Sequence, residues 1–230
     1  AQVHLPEMEM SQEAKIIKPG NSNKSIYNVI KQNCLSLDEE LKLKKYIENL
    51  GMLYIASSFC FEAAEFLNKI GTKVFKIGSG EASNFPFIEK IVSFKKPILI
   101  SVGMHSLDEI RKTYSFLKKK KARFILNHCV NMYPTPIKNS NLNKFIKLKK
   151  ILKCPIGLSD HTEGLATAYL SMGIGTALIE KHFVINKKKS GPDISSSIDF
   201  GELKQLISNT NHLDMSIYKK NGVLPGEKVT

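Results

Sequence analysis

No apolar run in this sequence approaches the ~18 residues that a bilayer-crossing helix needs, so no membrane span is expected. The opening AQVHLPEMEMSQEAK has neither the basic start nor the apolar stretch of a secretory signal, which points to a cytoplasmic protein. Cysteine is scarce and scattered: Cys34, Cys60, Cys129 and Cys154 form no CxxC pair. That spacing argues against a zinc ribbon and a disulfide-dense scaffold and leaves free, mostly buried thiols. No strand-like run leads into a G-x-G-x-x-G or P-loop sequence. Gly78-Ser79-Gly80 lacks the third glycine, so neither nucleotide cradle is indicated.

What is present is the composition of a soluble globular chain. Of 230 residues, 42% are hydrophobic and 24% charged, which is wrong for disorder. The length allows one large domain or two small ones. The formal net charge is +13, with lysine runs at 118–121 and 187–189 and a cluster of Lys144, Lys147, Lys149 and Lys150. Such a balance can attract nucleic acid or another anionic surface. These runs fall at expected helix ends and loops, few aromatics interleave with them, and no nucleic-acid motif accompanies them. A solvated lysine-rich surface is preferred to a nucleic-acid role.

Short apolar runs alternate with amphipathic helical patterns. Ser36 with Glu39 forms an S-x-x-E capping box. Leu41, Leu43, Tyr46, Ile47 and Leu50 follow at roughly helical spacing, and Gly51 is placed to end the helix. Ser106 and Glu109 repeat the box ahead of the lysine run. Strands are expected over 52–57, 73–79, 97–101, 123–129, 155–159 and 176–183. Further helices are expected over about 62–69, 87–92, 141–152, 164–172 and 201–210. Strict alternation implies parallel strands with right-handed crossovers, and near-continuous apolar strands imply a sheet covered on both faces.

A doubly wound sheet and a (β/α)8 TIM barrel both satisfy this pattern. Polar residues recur at the C-terminal end of strand after strand, which favours the barrel. A barrel needs eight strands and typically ~250 residues, whereas six are evident here beside a strand remnant at 1–4. The expected fold is therefore an α/β, (β/α)8 barrel that is incomplete, its first strand and most of its second missing, with 5–35 as a long loop. The expected organisation is one barrel domain over 1–215 and a linker over 216–230.

The strand ends carry Ser57, then Ser79 with Glu81, Ser101, Asn131 with Tyr133, Ser159 with His161, and Glu180 with His182. One serine after a strand is ordinarily a turn residue. Four on one rim suggest hydrogen-bond donors to a phosphate or carboxylate. Lys76 interrupts the apolar Val74-Phe75-Lys76-Ile77, where an unpaired cation is costly to bury. It either snorkels to the edge or meets an anion, and the serine rim favours the anion. An imine-forming role is also open.

His161 and His182 end neighbouring strands, and Glu180 shares a strand face with His182. The two histidines are either hydrogen-bonded structural residues or ligands of a divalent cation. Two nitrogens do not close a tetrahedral zinc site, and an open site completed by oxygens suits manganese or magnesium. His4 and His128 are available to assist. Asp193, on the turn-prone Ser190-Gly191-Pro192-Asp193, either holds a sugar hydroxyl or caps the turn.

The stretches FKIGSGE (75–81), ISVGM (100–104), HCVNMYPTP (128–136), GLSDHT (157–162), IEKHF (179–183) and GPD (191–193) resemble, in order and spacing, the bacterial N-acetylneuraminate (sialic acid) synthase family. Its relatives make legionaminic and pseudaminic acids. The resemblance runs from Gln2 to about Leu206, and six ordered motifs make it specific. It implies a transferase of sialic acid biosynthesis that joins phosphoenolpyruvate to an open-chain N-acetylmannosamine-type sugar and releases phosphate by C–O cleavage. On the matching positions, His161 and His182 would hold Mn2+ or Mg2+. Lys76, Ser57, Ser79, Ser101, Asn131 and Ser159 would hold phosphoenolpyruvate. Gln2, Tyr133 and Asp193 would contact the sugar, and Glu180, Glu81 and Tyr133 would have catalytic roles. The implied partners are the two small substrates, with neither nucleic acid nor membrane, and a homodimer of the full-length protein.

The sequence departs from the family at both ends. The family opens with a strand carrying an active-site glutamate and a second strand ending Lys-Phe-Gln, of which only Gln2 is found here. The small antifreeze-like domain that follows the family's barrel is not reached by Thr230. Ser57-Ser58 replaces the usual Thr-Pro and keeps the hydroxyl. An open barrel exposes strand edges, so these residues alone are expected to turn over poorly or not at all. Two alternatives remain. One is another barrel aldolase or phosphoenolpyruvate-condensing synthase with Lys76 forming an imine. The other is a non-catalytic phosphosugar-binding remnant or a lysine-rich nucleic-acid binder.

Overall fold

Both capping boxes form. Ser36 Oγ accepts the Glu39 amide at 3.3 Å while Glu39 Oε2 accepts the Ser36 amide at 2.8 Å. Ser106 and Glu109 repeat this at 3.3 and 2.7 Å. Each box satisfies two amides that a helix start would otherwise leave orphaned.

The computed structural model describes residues 1–18, 22–189, 191 and 193–216. In chain order these form β1 (Gln2–Val3), α1 (Pro6–Glu9), α2 (Ile26–Asn33), α3 (Leu37–Asn49), β2 (Ala56–Ser58), α4 (Phe61–Lys69), β3 (Phe75–Ile77), α5 (Phe85–Ser93) and β4 (Ile98–Ser101). There follow α6 (Leu107–Lys119), β5 (Phe124–Cys129), α7 (Leu142–Ile151), β6 (Ile156–Asp160), α8 (Ala166–Gly173), β7 (Ile179–Phe183), β8 (Ser197–Ile198) and α9 (Phe200–Ser216). The eight strands make one sheet in chain order, each parallel to its neighbours. Among the described residues β1 pairs only with β2 and β8 only with β7. The sheet is thus a curled α/β barrel wall with two open edges.

Strand parity decides what faces where. Phe75 and Ile77 of β3, Ile98 and Ile100 of β4, and Phe124 and Leu126 of β5 join one core with Leu67 of α4, Ile88 and Ile91 of α5, and Phe145 of α7. Burying each such side chain is worth ~1.5–3 kcal/mol. A one-residue slip would turn this whole face away from the helices, so the register is strongly held. The opposite parity, which includes Ser57, Lys76, Ser101, Cys129, Ser159, Glu180 and His182, is thereby turned to the inner side. A smaller cluster of Leu165, Ala168, Ile198 and Leu206 packs α8 and α9 over β8.

The structure corrects the expected elements in two places and bears out a third. Residues 5–35 are not all loop, since α1 and α2 lie within them. The start of α2 is capped by Ser25, which accepts the Asn28 amide, and Ile26, Val29 and Ile30 follow at helical spacing, in an asparagine- and lysine-rich stretch that hides so short a period. The strand remnant expected at 1–4 is present, pairing Gln2 with Ser57 and Val3 with Ser58. The strand β8 was not expected, because two residues carry no periodicity; Val184 N donates to Ile198 O at 2.9 Å beside it. Beyond Ser216 the expected linker lies outside the described residues, as do Ser190 and Pro192. No helix among the described residues is long and apolar enough to cross a membrane.

Candidate functional site

The inward parity of successive strands converges at their C-terminal ends on a cavity of about 590 Å³, a volume that suits a small molecule. Gln2, Ser57, Lys76, Ser79, Ser101, Asn131, Tyr133, Ser159, His161, Glu180, His182 and Asp193 line it.

One side of this mouth is built for an anion. Because Phe75 and Ile77 commit β3 to the helix-packed core, Lys76 faces inward and is 8% exposed. Its Nζ donates to Ser101 Oγ at 2.9 Å and lies 3.4 Å from Glu180 Oε1. Glu180 Oε1 also accepts from Ser159 Oγ at 2.7 Å. An ammonium has three protons, so a donor remains for a bound anion. Nearby, Ser79 Oγ accepts the Gly103 amide at 3.1 Å and lies 3.1 Å from Cys129 Sγ. A Cβ on Gly103 would sit 1.9 Å from Asn131 Oδ1 and 2.7 Å from Cys129 Sγ. Only a bare backbone lets the loop after β4 approach Asn131 and Ser79 this closely. Burial pushes the Cys129 thiol up, opposed by its hydrogen bond with Ser79.

The other side carries the imidazoles. His161 Nδ1 lies 2.7 Å from the Val130 carbonyl, so that nitrogen bears the hydrogen and donates. Nε2 keeps its lone pair, 3.3 Å from Ser159 Oγ. A carbonyl holding one ring nitrogen is the usual support for a metal-ligating histidine. Burial holds the His161 pKa below its ordinary value, against the Val130 hydrogen bond, which favours the neutral ring a metal requires. The rings of His161 and His182 are 5.4 Å apart at 67°. Tyr133 packs against both, at 4.3 Å and 5.6 Å. His182 Nδ1 lies 3.9 Å from Asp193 Oδ2.

Among the described residues no group of three or more His, Cys, Asp or Glu is spaced to hold a metal ion. The donor set is the imidazole pair, which fits an open site completed by water or substrate oxygens. The Tyr133 hydroxyl is pushed up to about 12, chiefly by burial and then by the charges of Cys129, Asp193 and Glu180. It is therefore a hydrogen-bond donor at neutral pH.

Glu81 is outside this lining, as are His4 and His128. Residues Ser79–Glu81 form a single 3-10 turn, and Glu81 Oε2 accepts from Asn84 Nδ2 at 2.6 Å. His128 has the outward parity of β5. It lies under Phe145 with Nε2 3.0 Å from Ser140 O, so it does not assist at the mouth. His4 is stacked 4.4 Å from Phe59, its Nδ1 2.6 Å from Glu9 Oε1, and it is likewise outside the lining. Sequence reasoning missed Phe59 and Cys129, which do line the cavity. Counting two residues on from Ser57 and two back from Asn131 would have found them.

The family model described as NeuB family matches residues 2–221. The chain is 32% identical over 204 residues to the N,N'-diacetyllegionaminic acid synthase of Campylobacter jejuni, covering 87% of this chain and 61% of that protein. It is 31% identical over 183 residues to human N-acetylneuraminate-9-phosphate synthase, covering 79% and 51%. The chain thus spans between about half and three-fifths of the length of these curated relatives. The crystal structure of N-acetylneuraminic acid synthetase from Leptospira borgpetersenii, in complex with citrate, is similar with a TM-score of 0.84 at 30% identity. That match covers 89% of this chain and 72% of that one.

Proposed function

The chain belongs to the NeuB family, and on that footing we propose that its mouth condenses phosphoenolpyruvate with an N-acetylated amino sugar of the N-acetylmannosamine type. The products are a nonulosonic acid and phosphate, and the reaction uses Mn2+ or Mg2+. The observation that carries this reading is Lys76, held by Ser101 and Glu180, in the same cavity as the His161–His182 pair.

Lys76, the hydroxyls of Ser57, Ser79, Ser101 and Ser159, and the Asn131 amide receive the carboxylate and phosphate of phosphoenolpyruvate. Charge-assisted hydrogen bonds of this kind are the stronger ones. Gln2, Tyr133 and Asp193 orient the sugar, with the Tyr133 O–H donating to a sugar oxygen. His161 and His182 would hold the divalent cation, which when bound polarises the sugar aldehyde as a Lewis acid.

The enol carbon C3 bonds to the aldehyde carbon, water adds at C2, and the C2–O bond to phosphate breaks. Substrates and one water thereby balance the acid and phosphate formed. Glu180, bonded to Ser159 and beside Lys76, takes the proton of the added water in this reading. A catalytic part for Glu81 requires its side chain to leave Asn84. A cytoplasmic, homodimeric protein belongs to the same proposal and rests on the family resemblance.

Phosphate release from phosphoenolpyruvate by the full-length protein, followed with a panel of acetamido sugars and with or without Mn2+, tests the reading. Release that requires both a sugar and the cation, even if slow, supports it. Release indifferent to sugar, or none with any sugar, contradicts it.

A further inference from the structure

At the opposite end of the wall, where strands begin, five cations surround a pocket of about 130 Å³. Lys95 and Lys96 lead into β4, Lys120 and Lys121 follow α6, and Arg123 leads into β5. Among the described residues Glu89 is the one carboxylate paired with any of them, through Lys120. Burial and the nearby Lys44 charge hold the Lys96 pKa below that of an ordinary lysine. Lys96 is half-buried with its Nζ 5.8 Å from the Phe75 ring centroid, and the other four cations are exposed around the pocket rim.

The backbone supplies a second observation. After α3, α4 and α8 the left-handed position is filled by Gly51, Gly71 and Gly175, at φ 74°, 79° and 78°. After α5 and α6 it is filled by Lys95 and Lys121, at φ 58° and 56°. A side chain there is strained where glycine is not, and both strained lysines line this one pocket. The helix dipole explains a cation in the last turn of α5 and α6. It does not explain lysine at the left-handed position, nor Lys96 and Arg123 on the segments leading into strands.

We propose that this pocket binds a small, multiply charged anion of the phosphate type, of about pyrophosphate size, at a site separate from the mouth. The planar guanidinium of Arg123 offers paired donors to a phosphoryl group, and the lysines add point charges. The pocket volume is roughly four times the ~30 Å³ share of a liquid water, too small for a nucleotide.

Pyrophosphate is the probe. Calorimetric titration of the 230-residue chain carrying Lys76→Met, which removes the lysine of the mouth, is expected to show a saturable site. Adding Lys96→Gln and Arg123→Gln is expected to weaken it about tenfold or more. Binding unchanged by these two substitutions, or no saturable binding before them, overturns the proposal. The unmutated chain gives an independent reading through lysine acetylation measured by peptide mass. Pyrophosphate is expected to slow acetylation of Lys96 and Lys121 several-fold and to leave the exposed Lys147 and Lys150 unchanged. Equal protection of all four, or protection by duplex DNA but not by pyrophosphate, overturns it.

Discussion

Asp160 Oδ2 and Lys181 Nζ lie 3.0 Å apart behind the mouth, their side chains 1% and 4% exposed. They are register partners on β6 and β7, and the residue after each is a histidine that faces the cavity. Asp160 Oδ1 also accepts the Thr162 amide at 2.9 Å and the Thr162 hydroxyl at 2.8 Å, and Lys181 donates to the Thr162 carbonyl. One buried network therefore fixes both strands and the turn leaving His161.

Breaking this pair by removing one partner strands the other charge in the interior. Lys181→Met is expected to lower the free energy of unfolding by ~3–5 kcal/mol, read from the urea midpoint at unchanged slope. Asp160→Asn keeps an acceptor for Thr162 but strands the Lys181 ammonium, and is expected to fall in the same range. A midpoint for Lys181→Met indistinguishable from the parent would show that the pair is not structural.

The close approach of Gly103 makes a second prediction. Gly103→Ala must displace Asn131 and Cys129, and overpacking of this kind costs ~1–3 kcal/mol. Thermal denaturation should show the loss, together with weaker phosphoenolpyruvate binding. A Cβ at Gly80 meets nothing within 4 Å, so Gly80→Ala is the control and should melt close to the parent. Equal behaviour of the two variants would count against the crowding of the mouth.

Cysteine chemistry gives a third. The raised Cys129 thiol carries little thiolate at neutral pH, and the thiolate is the reactive form. Iodoacetamide should therefore alkylate the partly exposed Cys34 before the buried Cys129, as read by peptide mass. Preferential labelling of Cys129 would contradict the burial described for the mouth.

Most of the mouth was legible because sheet parity is a rule of period two. Lys76 between Phe75 and Ile77 could face only away from the helices, and Ser57, Ser101, Ser159 and His182 follow from the same count. What escaped was set by contacts across the chain. The pairing of Asp160 with Lys181 is invisible in sequence, because each reads as a lone charge beside a histidine until β6 and β7 are placed in register. The 3-10 turn that takes Glu81 to Asn84 depends on local backbone, not on strand period. In β8 two residues carry no pattern, and in α2 a lysine- and asparagine-rich stretch masks one cap and one turn of apolar contacts.

The proposed function requires His161 and His182 together to hold one divalent cation beside Lys76. Mn2+ binding, followed by the paramagnetic resonance signal of the free ion, tests it without requiring turnover. A saturable site is expected in the parent chain, lost in His161→Ala and in His182→Ala, and kept when the exposed His212 is replaced by alanine. Mn2+ binding that survives both mouth substitutions would contradict it.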